Sequence, residues 1–158
     1  MTYLTQLLFG LSGRISRKSW WLGFVIVLPF EVAEVVVSAP QEFGFDVQPF
    51  TVPVWIDVPA QLITVYCNTA LTVKRFNDRD WPYWLGFIFL VLGAIQISAE
   101  QLGYFSENSE NMGTAELAFG IVCLLYFLFA FVDNAFVRGT SGPNRYGPDP
   151  LKVKEPSP

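Results

Sequence analysis

Glu31 and Glu34 are the residues whose type and spacing suggest chemistry inside an apolar segment. Residues three apart share one face of a helix. Counted from Trp20 at the rise of an α-helix, Glu31 falls roughly 16 Å along the segment. An ionisable group at that depth in a membrane indicates an intramembrane polar site. The alternative, which we favour because no cation accompanies the pair, is that Pro29 kinks or ends the helix and leaves both acids at the outer interface.

Other residue types argue against catalysis. The chain has no histidine, so the commonest general base and metal ligand is absent. Its two cysteines, Cys67 and Cys123, lie in apolar segments, where a free cysteine acts as a small apolar residue. No nucleophile elbow, phosphate-binding glycine loop or metal-ligand spacing is present in the sequence. We therefore expect no enzyme activity, no cofactor and no bound metal.

The cations have a strongly uneven distribution along the chain. All ten Lys and Arg residues fall within residues 14–18, 74–79 and 138–154, and long apolar segments separate these three groups. The connections on the other side of those segments carry only acids. This is the positive-inside pattern of a multi-pass membrane protein, and it predicts that both termini lie in the cytoplasm.

Hydropathy predicts the elements that must position these residues. Hydrophobic residues make up 52% of the 158 residues and charged residues only 15%, whereas a soluble domain has about 25% charged residues. We predict an all-α integral membrane protein, a four-helix transmembrane bundle with helices at about 19–38, 57–75, 81–99 and 114–137. Residues 1–150 form the single domain, and residues 151–158 form a flexible cytoplasmic tail.

The first residues carry a weaker pattern. Apolar side chains in residues 2–11 recur at helical spacing, which favours a short amphipathic helix at the cytoplasmic interface. A frayed terminus would explain the same residues equally well.

Polar residues from the three basic segments should converge on one face of the bundle. We call this predicted group the cytoplasmic cap; its members are Arg14, Arg17, Lys74, Arg75, Asn77, Asp78, Asn144, Arg145 and Asp149. Such a cap would suit anionic lipid headgroups or an acidic protein partner. The alternative is that the basic residues only set topology and neutralise helix C-termini.

Three segments in order resemble a known family. Residues 13–21 (GRISRKSWW) resemble the opening of the bacterial inner-membrane family called domain of unknown function 805. Residues 74–84 (KRFNDRDWPYW) resemble its central segment, and residues 139–150 (GTSGPNRYGPDP) resemble its ending. The resemblance implies a four-helix protein of the bacterial inner membrane and supplies no established reaction.

The central segment departs from the family pattern. Asn77 stands where the family is expected to have His, Lys74 replaces an Arg, and the usual Gly before Trp is missing. If the histidine carries chemistry in the family, this chain has lost it, although Asn retains hydrogen-bonding capacity.

Together these patterns predict a non-enzymatic inner-membrane protein whose cytoplasmic cap organises the bundle and contacts anionic lipids. A membrane-protein partner or a second copy of the chain is the other expected contact, and no nucleic acid is expected. The alternative function is a small transporter or channel component that uses Glu31 and Glu34.

Overall fold

The computed structural model describes residues 2–38, 52–105 and 113–152. It contains five helices: α1 (Tyr3–Phe9), α2 (Arg17–Ser38), α3 (Val54–Asp78), α4 (Trp84–Gln101) and α5 (Thr114–Phe136). Within these ranges no strand occurs, and an isolated bridge joins Asn144 and Gly147. The all-α prediction is confirmed for this part of the chain. Most of the predicted tail, residues 153–158, lies outside the described residues.

Three helices are long and apolar enough to cross a membrane. They are residues 17–36 of α2, with a mean hydropathy of 1.6, α4 with 1.4, and α5 with 2.3. Large apolar side chains on their surfaces stay exposed, including Phe30, Leu125 and Phe136. Exposed apolar surface of this extent needs lipid or a partner to cover it. The chain is a membrane protein.

The central helix, α3, differs from the three apolar helices. It is 25 residues long and carries charged residues at both ends. It is not among the helices whose length and mean hydropathy alone suit a membrane crossing. The second half of α3 is buried continuously from Cys67 to Asp78. The polar Asn68, Thr69 and Thr72 are thereby shielded by the helices that pack around α3.

Glycines set the closest helix contact, between α3 and α4. A Cβ at Gly86 would lie 2.7 Å from Val73 Cα and 2.8 Å from Val73 N, inside any normal contact. A Cβ at Gly93, two turns further along the same face, would lie 2.7 Å from Val65 Cγ1. Small residues permit this approach of two backbones, as in other membrane helix pairs.

The N-terminal residues form a packed helix, α1. Leu7 is buried at 2% exposure, and the Tyr66 hydroxyl of α3 donates to the Phe9 carbonyl at 2.9 Å. Lys74 Nζ donates to the Gln6 carbonyl at 2.9 Å and to the Leu7 carbonyl. These bonds satisfy carbonyls at the end of a short helix, so the frayed alternative does not describe this segment.

Helix boundaries differ from the predicted ones at specific residues. Pro29 lies inside α2, which continues to Ser38, so the helix does not end before the two glutamates. Helix α3 begins at Val54, three residues before the predicted start at residue 57, and Asp57 accepts a bond from Gln61 at 3.1 Å within the first turns.

Helix α4 starts later than predicted. Its first residue is Trp84, because Asp80 has a positive φ of 59° and residues 79–83 turn before the helix begins. Aspartate tolerates this left-handed conformation better than most residues. Asp80 is therefore a residue of the turn that precedes α4.

Candidate functional site

The Asp78 carboxylate, at the end of α3, lies between two arginines. Arg14 Nε donates to Asp78 Oδ1 at 3.0 Å, and Arg75 Nη1 pairs with Asp78 Oδ2. The side chains of Arg14, Arg75 and Asp78 are 1%, 0% and 6% exposed. We call these three residues the Asp78 cluster. A buried ion pair requires that its remaining donors also find partners.

Backbone carbonyls supply those partners. Arg14 donates to the carbonyls of Thr140 at 2.7 Å, Gly142 at 2.8 Å and Gly147 at 3.2 Å. This guanidinium therefore fixes the segment that follows α5.

Arg75 acts on the end of α5 itself. It donates to the carbonyl of Asn134 at 2.9 Å and to that of Val137. Carbonyls at a helix C-terminus lack intrahelical donors and carry partial negative charge. The two arginines thus bind helix α3 to the C-terminal end of α5 and to the loop beyond it.

The loop at residues 138–152 is held by its own side chains. Asp149 accepts the backbone N–H groups of Gly142 and Leu151, each at 3.0 Å. Hydrogen bonds from these two N–H groups, that of Leu151 first, hold the pKa of the Asp149 carboxyl below its usual value. Asn144 Oδ1 accepts the Tyr146 N–H at 2.9 Å.

Asn77 and Asn144 connect the three chain segments. Asn77 Nδ2 donates to the Gly13 carbonyl at 3.1 Å, and Asn144 Nδ2 donates to the Asn77 carbonyl at 2.9 Å. Asn77 is 3% exposed, and within the described residues its Oδ1 has no hydrogen-bond donor. At the position where a histidine was expected, an amide therefore bridges the N-terminal segment to α3.

The side chains of three other residues of the predicted cap bind partners outside the Asp78 cluster and the two asparagines. Arg17 is exposed and donates to the Phe136 carbonyl at 3.1 Å. Lys74 binds α1 as described above. Arg145 pairs with Asp80 at 3.0 Å, and its guanidinium lies 4.8 Å from the centre of the Tyr146 ring.

Sequence reasoning missed two contributors to this region. Gly139 passes so close to the Asp78 carboxylate that a Cβ there would overlap Oδ2. Thr140 donates its N–H to the Asp78 carbonyl at 2.8 Å and its hydroxyl to the same oxygen at 3.0 Å. The dense run of small residues at 139–142 was the available signal, because small residues permit close backbone approach.

A second polar region lies between helices α2, α3, α4 and α5. It is a cavity of about 300 Å³ whose lining includes both Glu31 and Glu34. Asn68 Nδ2 donates to Glu31 Oε1 at 2.5 Å. Gln61, Gln96, Glu100 and Thr64 also line it. We call this space the carboxylate cavity.

The two regions lie at opposite ends of the bundle. Fourteen residues of continuous helix separate Arg17 from Glu31 on α2, which corresponds to roughly 21 Å. The described residues contain no group of three or more His, Cys, Asp or Glu side chains that could hold a metal ion.

Comparison with known proteins gives a family. Residues 8–148 match the model of the family described as Protein of unknown function (DUF805). The chain belongs to this family. The match includes all of α2 to α5 and the Asp78 cluster. No curated protein and no solved structure matches the chain.

Proposed function

We propose that this DUF805 chain is a non-enzymatic, multi-pass protein of the bacterial inner membrane that contacts anionic lipids through its cytoplasmic end. In this proposal the Asp78 cluster holds the bundle together, and the exposed basic residues around it contact headgroups. The observation that carries it is the division of the cations into two groups. Arg14 and Arg75 are buried and bonded within the chain, whereas Arg17, Lys18 and Arg138 are exposed.

Four crossings follow if α3 is counted as a span. Its 25 residues give a length of roughly 37 Å, enough for the hydrocarbon core. Its polar residues are covered by neighbouring helices, so they need not face lipid. Four crossings put both termini on one side, and the basic segments at 14–18, 74–79 and 138–154 favour the cytoplasm.

Cysteine labelling tests this orientation. In a Cys67→Ser/Cys123→Ser background, Ser12→Cys and Ser141→Cys should react with a membrane-impermeant maleimide only after the cells are opened. Thr114→Cys, at the start of α5, should react in intact cells. Labelling of Ser12→Cys from outside would overturn the proposed topology.

Exposed cations near the headgroups should strengthen binding of anionic lipid. Each Lys or Arg close to an anionic surface contributes about 1 kcal/mol. The Lys18→Gln/Arg138→Gln variant should therefore bind phosphatidylglycerol roughly tenfold more weakly or worse. The charge-conserving Lys18→Arg/Arg138→Lys variant is the matched control.

Native mass spectrometry measures this effect. Protein released from bilayers of equal phosphatidylglycerol and phosphatidylcholine should retain phosphatidylglycerol, and the neutral variant should lose it. Equal retention by the neutral variant would overturn the lipid contact. Retention of a second protein chain in place of lipid would assign the surface to a protein partner.

A second candidate function rests on the carboxylate cavity. We propose as the alternative a small transporter or channel component that uses Glu31 and Glu34. The cavity is lined by residues of four helices and contains carboxylates and amides, which supports a polar pathway through the bundle. Both glutamates line the same space, as their three-residue spacing requires.

Flux through proteoliposomes tests the alternative. The chain should conduct protons or a small cation, and Glu31→Gln/Glu34→Gln should abolish the flux. Asp80→Asn is the matched control, because it removes an exposed carboxylate at the opposite end of the bundle. Absence of flux in the unmodified protein, or its persistence in the double variant, would contradict this function.

A further inference from the structure

We propose that the carboxylate cavity binds a small organic cation, an ammonium group attached to an apolar body. This inference deepens the second candidate function and rests on it, since it names the class of ligand that such a transporter would take. Two chemically different walls of the cavity support it: a carboxylate wall on α2 and an aromatic wall on α4 and α5.

Glu31 and its partner Asn68 form the centre of the carboxylate wall. Their bond of 2.5 Å joins α2 to α3 inside the bundle. The amide donates and carries no charge, so it does not neutralise the glutamate. A carboxylate within a membrane is costly unless a cation pairs with it.

Among the described residues, no cationic side chain lines the cavity. Every residue that lines the cavity falls within residues 31–68 or 89–127. Neither range contains a Lys or Arg, and the chain has no histidine. We therefore assign a positive charge beside Glu31 to a bound species.

The geometry favours an organic cation over a metal ion. Metal binding requires several oxygen ligands that converge on one point, and the described side chains contain no such group of acids. One further lining carboxylate, Glu100, has its own amide donor, since Gln96 Nε2 donates to Glu100 Oε1 at 3.0 Å. A volume of about 300 Å³ also exceeds what one ion fills and is the size of a small-molecule pocket.

Helices α4 and α5 also contribute aromatic residues to the lining, beside Gln96 and Glu100 of α4. The rings of Phe89 and Tyr126 line the cavity, with their centres 6.3 Å apart and their planes at 61°. The Tyr126 hydroxyl donates to the Leu85 carbonyl at 2.7 Å, which fixes this ring between α4 and α5. Phe127 is a further lining residue. Aromatic faces attract ammonium groups, most strongly when water is excluded.

Choline is a suitable probe, because it is a small quaternary ammonium that dissolves poorly in bilayers. Its matched control is the neutral analogue in which carbon replaces the ammonium nitrogen. Binding of both to the full chain in nanodiscs would be measured by equilibrium dialysis with labelled compounds. We expect choline to bind at least about tenfold more tightly than the analogue, which corresponds to about 1.4 kcal/mol.

Two variants connect the binding to the two walls. Glu31→Gln should reduce choline affinity at least about tenfold, and Phe89→Leu should reduce it roughly three- to tenfold by removing an aromatic face. Neither change should alter the affinity of the neutral analogue. Asp80→Asn should leave choline binding unchanged, and circular dichroism would establish that each variant folds.

The outcomes separate this inference from the function on which it rests. Equal binding of choline and its neutral analogue, or full choline affinity in Glu31→Gln, would overturn the organic-cation site. If choline fails to bind while Glu31-dependent proton flux persists, the transport function stands and the ligand class is wrong. If neither choline binding nor flux occurs, both proposals fail.

Discussion

Arg14 and Asp78 form a buried ion pair, with Nε and Oδ1 3.0 Å apart, across 64 residues of sequence. Asp78 ends helix α3, and Arg14 precedes α2. Because Arg14 also binds carbonyls beyond α5, one side chain connects three separate parts of the chain.

Replacing Arg14 with Gln should strongly destabilise the protein. The change removes one cation from a buried carboxylate and removes the donors for the carbonyls of Thr140, Gly142 and Gly147. Breaking a buried pair costs about 3–5 kcal/mol. Thermal unfolding in detergent, followed by circular dichroism, would measure the loss.

The control for this change is Arg145→Gln. Arg145 also pairs with an aspartate, but its side chain is 55% exposed and that of Asp80 is 45% exposed. Exposed pairs contribute about 0–1 kcal/mol. Similar losses in the two variants would show that burial of the Asp78 cluster does not decide its contribution.

Gly139→Ala should destabilise the Asp78 cluster through a steric overlap, without changing any charge. The added methyl group would overlap the Asp78 carboxylate, which the arginines hold in place. Overpacking at a fixed neighbour costs about 1–3 kcal/mol. Gly120→Ala in α5 is the control, because a Cβ there meets nothing within 4 Å. We expect the unfolding temperature to fall for Gly139→Ala and not for Gly120→Ala. Equal unfolding temperatures of the two variants would contradict the close approach of Gly139 to the Asp78 carboxylate.

Gly86→Ala should separate α3 from α4. Its methyl group would meet the backbone of Val73, which cannot rotate away. At Gly23 the corresponding neighbour is the end of the Leu71 side chain, which can change rotamer. We expect the loss in unfolding temperature to be larger for Gly86→Ala than for Gly23→Ala. A larger loss for Gly23→Ala would indicate that α3 and α4 can move apart at Gly86 at lower cost than the close backbone contact implies.

Acid should loosen the loop at residues 138–152 through Asp149. The pKa of this carboxyl is lower in the folded chain than in the unfolded one, because the Leu151 and Gly142 N–H groups stabilise its charged form. Its contribution to stability is therefore present above the unfolded pKa of about 3.9 and is lost as pH falls through the folded pKa.

Hydrogen exchange in this loop would measure that contribution. Asp149→Asn should speed exchange of the Gly142 and Leu151 amides at pH 7. The difference from the unmodified protein should persist just below the usual Asp pKa and shrink only as pH falls through the lower folded pKa of Asp149, where both chains carry a neutral side chain. An unchanged difference in acid would assign the effect to the shape of the side chain and not to its charge.

Hydropathy and the basic segments predicted much of the helical arrangement. The apolar runs predicted α2, α4 and α5 closely, because length and apolar content alone select such helices. Helix α3 was harder to classify, since its polar residues are compatible with a membrane only when other helices cover them. Whether neighbouring helices cover a polar residue depends on the tertiary structure, and the hydropathy of the sequence does not report it.

The sequence does not distinguish the individual basic residues of the three basic segments. Arg14, Arg75 and Arg145 look equivalent in the sequence, as basic residues beside apolar segments. In the structure Arg14 and Arg75 are buried and Arg145 is exposed. The difference arises because backbone carbonyls of residues 134–147 surround Arg14 and Arg75, and no sequence periodicity specifies that long-range approach.

The positions of these carbonyls in the sequence also determine when the bonds of Arg14 can form during synthesis of the chain. The partners of Arg14 at Gly142 and Gly147 are 128 and 133 residues further along the chain. Helices α2 to α5 must therefore leave the ribosome before Arg14 can complete its bonds. If residues 138–152 close over Arg14 late, like a latch, nascent chains arrested before residue 140 should stay protease-sensitive at Arg14, whereas full-length chains become resistant. Early resistance in the arrested chains would contradict a latch of this kind.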